Sequence, residues 1–246
     1  MINIKEQFIN KLYYEEIEGS NFLLCPGAAT RPSEAISSPD LRTLLKEQNL
    51  DFPDNLIDFY GQVGMLSIPW EIVGERVKNG HEREAMFKNH TWIKEHYFEK
   101  GYSWEAVRIL LSGNLNIAGL QNIIDIEDLK ATGIYQAAEN VGLKGGDLRP
   151  IDFNEYAVAC MKVDDCKLID NIYLYTGFGG FPVALYDMKV SFEHYLELAY
   201  KAKCFNYWNL IYCLKDKVPN QKLMRKFFPL IFPHLTPDLE DFGIKY

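Results

Sequence analysis

Residues 52–72 constrain the fold more than any other part of the sequence. Phe52-Pro53-Asp54-Asn55-Leu56-Ile57-Asp58-Phe59-Tyr60 begins a helix. Pro53 suits the first helical position, where its missing N–H would have no partner. Asp54 in the first turn complements the helix dipole. Leu56, Phe59, Tyr60 and Val63 recur at i, i+3, i+4 and i+7, which is one helical face. Gly64 can take the left-handed conformation that ends a helix. The period then changes to two: Leu66, Ile68, Trp70 and Ile72 share one face of a strand, and Glu71 lies on the other. Pro69 cannot donate to a ladder, so an edge or bulged strand is expected.

The rest of the chain alternates helical and extended patterns. Helices are expected over 2–18, from Ser38 or Pro39 to Asn49, near 121–124, over 191–203 and over about 206–214. Ser191 is a plausible cap. Residues 75–112, with Trp104, Val107, Leu110 and Leu111, read as a helical insertion. Strands are expected near 115–118, 157–163, 171–176 and 182–187. The run from Ala157 to Val163 is almost continuously apolar, as in a central strand covered on both faces. The tail after Pro219 has a helical group, Met224, Phe227 and Phe228, and then several prolines.

The order of these blocks resembles the SUKH superfamily, which includes the Smi/Knr cell-wall regulators of fungi and many bacterial immunity proteins. The residues that carry the resemblance are the 52–72 stretch, Gly113-Asn114-Leu115-Asn116-Ile117, Arg149-Pro150-Ile151-Asp152-Phe153, Ala157–Cys160, Ile172–Tyr175 and Val190–Leu196. Phe52 stands for the usual leading Leu, Gln62-Val63-Gly64 replaces a common Asn-Gly turn, and 75–112 is extra. The resemblance implies an α+β fold: a single mixed, mainly antiparallel sheet flanked by helices. It implies one domain over 1–246, with its core at about 40–214 and a C-terminal extension at 215–246. Its implied function is protein binding. The chain would be an immunity protein that occludes a cognate toxin domain, or a regulatory scaffold of the Smi/Knr type with no toxin partner.

Composition is compatible with either. The 246 residues are 48% hydrophobic and 24% charged, with a formal net charge of −8. That balance disfavours direct nucleic-acid binding, which needs cations to neutralise phosphates. It suits a basic protein partner, such as a nuclease or deaminase toxin, which an acidic surface would steer. The N-terminus lacks the apolar stretch of a signal peptide, and no apolar run of about 18 residues occurs, so a cytoplasmic protein with no membrane span is expected.

Chemistry-bearing motifs point away from an enzyme. The five cysteines, 25, 160, 166, 204 and 213, form no Cys-x-x-Cys. The histidines at 81, 90, 96, 194 and 234 include no i, i+4 pair. His81-Glu82 starts a zinc-protease motif, but Ala85 stands where the second His belongs. Gly177-Phe178-Gly179-Gly180 lacks the Lys-Ser/Thr end of a phosphate loop and reads as a hairpin. Paired acids such as Glu15-Glu16, Asp164-Asp165 and Glu240-Asp241 fall on turns or helix surfaces. No catalytic residue, metal or cofactor is expected. The candidate partner-binding residues are Trp70, Glu71, Tyr173 and Tyr175. Trp70 suits a core and, if partly exposed, could anchor a partner. Tyr173 and Tyr175 face away from Ile172 and Leu174, and they either cover a helix or present a surface.

Overall fold

A computed structural model describes residues 3–18, 23–24, 29–30, 34–72, 85, 87–154, 156–177, 182–232 and 239–245. The expectation of one domain meets a chain whose contacts gather into two compact units. Unit 1 comprises residues 1–5, 29–67 and 115–199, and unit 2 comprises 6–28, 68–114 and 200–246.

The strands, in chain order, are β1 (Leu23–Leu24), β2 (Ala29–Thr30), β3 (Leu66–Ser67), β4 (Glu71–Ile72), β5 (Asn116–Ile117), β6 (Leu148–Phe153), β7 (Ala157–Asp164), β8 (Lys167–Thr176) and β9 (Ala184–Asp187). A π-helix covers Lys5–Glu18. The α-helices are α1 (Ser38–Glu47), α2 (Asp54–Val63), α3 (Thr91–His96), α4 (Trp104–Leu110), α5 (Leu120–Ile124), α6 (Ile126–Ala131), α7 (Ile134–Asn140), α8 (Phe192–Lys201), α9 (Trp208–Leu214) and α10 (Pro219–Ile231).

Unit 1 is α+β. Its sheet has the order β2-β3-β5-β6-β7-β8-β9, and every ladder in it is antiparallel. The one parallel pairing among the described residues is an isolated bridge from Asp51 to Lys167. β7 lies between β6 and β8, and Ala157, Val158, Ala159, Cys160 and Met161 are all buried. This is the central strand its apolar run led one to expect. One face of the sheet buries Leu148, Val158, Cys160 and Tyr175 against Leu129 of α6 and Ile134, Ala137 and Ala138 of α7. The alternate residues, Ala159, Met161, Ile172 and Leu174, are fully buried as well. Helix α2 follows the expected pattern, except that Pro53 is its extended N-cap and Asp54 its first helical residue. Its apolar face is buried, Phe59 packs edge-on to Phe192 at 5.3 Å, and Gly64 closes it at φ 63°.

The stretch 66–72 departs from the expected single strand. It breaks at Ile68-Pro69: β3 pairs with β2 and β5 in unit 1, whereas β4 pairs with β1 in unit 2. Pro69 offers no donor at this point, so a ladder cannot run through it. β6 and the helices α6 and α7 were not anticipated as elements. The expected strand at 171–176 starts earlier, at Lys167.

Unit 2 is mostly helical among its described residues. Its one ladder joins β1 and β4. Its core combines aliphatic side chains with many large rings: Phe8, Trp70, Phe87, Phe205, Trp208, Phe227, Phe228 and Phe242 are all buried. Helices α3 and α4 fall within the expected insertion. Helix α10 is longer than the tail pattern implied and carries Pro229 inside it.

The two units also differ in charge. Unit 1 has 10 Lys and Arg against 19 Asp and Glu, a net of −9, while unit 2 has 16 against 15, a net of +1.

Candidate functional site

The four expected partner-binding residues fall in different settings. Trp70 is a correction: it is 1% exposed, so it cannot be a surface anchor. Its backbone pairs with Gly113 in both directions at 2.8 Å. The indole lies where a Cβ on residue 113 would be, so only glycine fits there. Its Nε1 donates to the carbonyl of Lys203 at 2.6 Å, and its ring packs on Phe205 and Phe232 at 6.1 and 5.6 Å. Glu71 is half-buried, and Arg108 Nε lies 3.5 Å from its carboxylate.

Tyr175 is the second correction. The two tyrosines do face away from Ile172 and Leu174, but α7 covers Tyr175, which is 3% exposed. Asn140 Nδ2 donates to its hydroxyl at 3.4 Å. Tyr173, two residues earlier on β8, is half-buried, and Lys162 Nζ sits 4.1 Å from its ring centroid.

Tyr173 belongs to a small polar group at one edge of the unit 1 sheet. In register it faces Asp187 of β9, the terminal strand in the order. Asn171 Nδ2 and the Lys189 backbone N–H donate to Asp187 Oδ1 at 2.8 and 2.9 Å. These bonds, Asn171 first, hold the exposed Asp187 carboxyl below the usual carboxylate range. The β7–β8 turn, which carries the exposed Asp164 and Asp165, lies away from this group at the Lys167 end of β8. The arrangement offers an aromatic ring, a cation, a carboxylate and a short strand edge. That set can make contacts; it holds no nucleophile with a base to activate it.

A second feature of unit 1 is a cleft of about 610 Å³, lined among others by Glu34, Met65, Asn116, Gln121 and Phe153. Asp152, next to Phe153, is 1% exposed. Its Oδ1 accepts from the Asn116 backbone N–H at 2.8 Å and its Oδ2 from the Tyr195 hydroxyl at 2.7 Å. Burial pushes its pKa up to about 6 against these two bonds. Both oxygens are occupied by the protein's own donors, which suits a fixed strut below the cleft. Sequence reading missed Asp152 as a special group. The available signal was an acid inside the apolar run from Pro150 to Phe153.

Among the described residues, no three His, Cys, Asp or Glu side chains gather in a way that could hold a metal ion. His81, His234, Cys25 and the glycines at 179 and 180 lie outside the described residues. Among the described residues no helix is long and apolar enough to cross a membrane. No family model, curated protein or solved structure matches the chain.

Proposed function

We propose that the chain works by binding another protein through the acidic unit 1, at the sheet edge around Tyr173 and β9. On this reading it is an immunity protein that occludes a basic toxin domain, as the resemblance to the SUKH superfamily implies. The observation that carries the reading is the confinement of the acidity: unit 1 alone has a net charge of −9. A concentrated field speeds encounter with a basic partner more than the same charge spread over the molecule. Tyr173 supplies an amphipathic ring at the surface, and β9, terminal among the described strands, can accept backbone bonds from a partner.

The test is binding kinetics against a toxin domain encoded beside this gene. Association slows as salt rises, because screening shortens to about 8 Å at physiological ionic strength. Tyr173→Ala raises the off-rate, costing roughly 2 kcal/mol if the ring is a hot spot. Asp187→Lys slows association, whereas Glu71→Lys in unit 2 has little effect. A genuine partner that binds Tyr173→Ala and Asp187→Lys like the wild type at every salt overturns this surface.

A further inference from the structure

Helix α10 has two sharply different faces. Leu223, Met224, Phe227, Phe228 and Ile231 are buried, which fixes where the remaining positions point. Lys222, Arg225 and Lys226, at i, i+3 and i+4, are exposed and share one side. They open on a cleft of about 440 Å³ whose other lining residues, among those described, are Trp92 and Lys245. Among the described residues no carboxylate lines it. Lys245 has Glu240 at 3.8 Å, and among the described residues Lys222, Arg225 and Lys226 form no ion pair.

Taken by itself, this arrangement of charges is unfavourable. Like charges at helical spacing repel. The first turn of α10 carries no acid, so nothing there offsets the positive end of the helix dipole. Ordinary solvated surfaces mix the two signs, yet from residue 217 to 237 the sequence has four Lys or Arg and no Asp or Glu. Packing explains why these positions face outward but not why all three are cations. An anion in the cleft relieves each of these terms together.

The aromatic side of the cleft is also defined. Trp92 stacks on His96 with ring centroids 4.3 Å apart and planes 17° apart, and Lys226 Nζ is 5.8 Å from the Trp92 ring. The cation is felt by a neighbour. His90, edge-on to Phe227 at 5.1 Å, has its imidazole held below the ordinary value, by burial first and by the Lys226 charge second.

We propose that this cleft binds an oligophosphate, a ligand carrying several phosphate groups in sequence. Four cations around one small cleft match several anionic charges on one ligand. An extended acidic peptide would set the acids of one face about 7 Å apart. Arg225 adds a planar fork suited to bidentate phosphate contact. Inorganic triphosphate, a nucleoside triphosphate and the backbone of a short single-stranded oligonucleotide all present this chemistry. The proposal does not depend on the protein-binding reading.

Calorimetric titration of the full chain, prepared without a tag, tests it with sodium triphosphate at low ionic strength. Saturable one-site binding is expected, weakening steeply as salt rises. The combined variant Lys222→Glu, Arg225→Glu and Lys226→Glu should lose roughly 100-fold or more in affinity. Arg225→Lys, which keeps the charge and loses the fork, should lose several-fold. Lys46→Glu in unit 1 makes a control whose affinity stays unchanged; an equal loss there means the effect is net charge, and the site is overturned. Circular dichroism checks folding, and if the triple variant is unfolded the Arg225→Lys and salt arms decide. Nucleoside triphosphate binding tighter than triphosphate, with the gain lost in Trp92→Ala, assigns the base to the aromatic wall. A short oligonucleotide that outcompetes both assigns the source to nucleic acid. Displacement by poly-glutamate as effective as by triphosphate overturns the phosphate assignment. No heat with any of the three phosphates at about 1 mM overturns the proposal.

Discussion

In unit 1 the ladders β6–β7 and β7–β8 tie long segments together by backbone bonds, over mainly aliphatic faces. Among its described residues unit 2 has one ladder, two residues long, and it holds all four tryptophans of the chain. A ladder spreads cohesion over many equivalent bonds, so no single side chain dominates it. A core of large rings concentrates cohesion, because each ring buries much apolar area in one place. The same division separates the charges. The sheet unit carries the excess acid, and the ring unit presents a cationic cleft on α10.

The largest expected effect tests whether ring cohesion is concentrated. Trp70→Ala removes a fully buried ring and the donor to the Lys203 carbonyl, and should cost about 3–5 kcal/mol. Gly113→Ala should also destabilise, since its methyl group runs into the same indole. Denaturant unfolding gives the magnitude, and hydrogen exchange should show the loss at unit 2 amides. Equal loss of protection in β6–β8 would break the contrast.

A smaller effect belongs to the sheet unit and depends on pH. Asp152 titrates near 6 in the folded protein, above its ordinary value of 3.8, with burial as the cause. The folded state therefore holds that proton more tightly than the unfolded chain. The group's contribution is fully present below about pH 4 and is lost as pH rises through about 6, by at most about 3 kcal/mol. Stability of the wild type relative to Asp152→Asn, followed from pH 3.5 to 7 by urea unfolding, should fall across that window. A flat difference would show that Asp152 is solvated.

The smallest effect is at the surface of unit 1. Arg42 and Asp54 pair at 2.6 Å, but their side chains are 49% and 83% exposed. Arg42→Ala should change stability by about 0–1 kcal/mol, less at high salt. A larger loss in a thermal melt would mean that this exposed pair is held more rigidly than its setting implies.

What the sequence disclosed follows the same contrast. Helix α2 was readable to within a residue because Pro53, its apolar face and Gly64 all agree. Strands β7 and β8 were readable from their runs and alternation. Helices α6 and α7 were not, since each is short and α7 buries two alanines, which carry little periodic signal. The break at Pro69 was half legible: the proline warned of an irregular strand, but only the distant partners β1, β2 and β5 decide where each side pairs. Of the candidate surface residues, Tyr173 remained exposed enough to serve. Tyr175 has the same phase, and its burial depends on α7, an element the pattern did not reveal. Trp70 was ambiguous for a similar reason, because its hydrogen-bond acceptor lies 133 residues away.

The interleaving of the two units has a consequence for synthesis on the ribosome. A nascent chain released as far as β5 has made α1, α2 and the short strands of unit 1, but not β6, β7 or β8, which form most of its ladders. Trp70 has emerged by then, and its acceptor at Lys203 has not. Both units therefore pass through a long interval with apolar rings and strand edges already outside the exit tunnel and still uncovered, the condition in which nascent chains aggregate or recruit chaperones. Slowing translation anywhere between residues 117 and 200 should lower the soluble yield more than the same pause placed after α10.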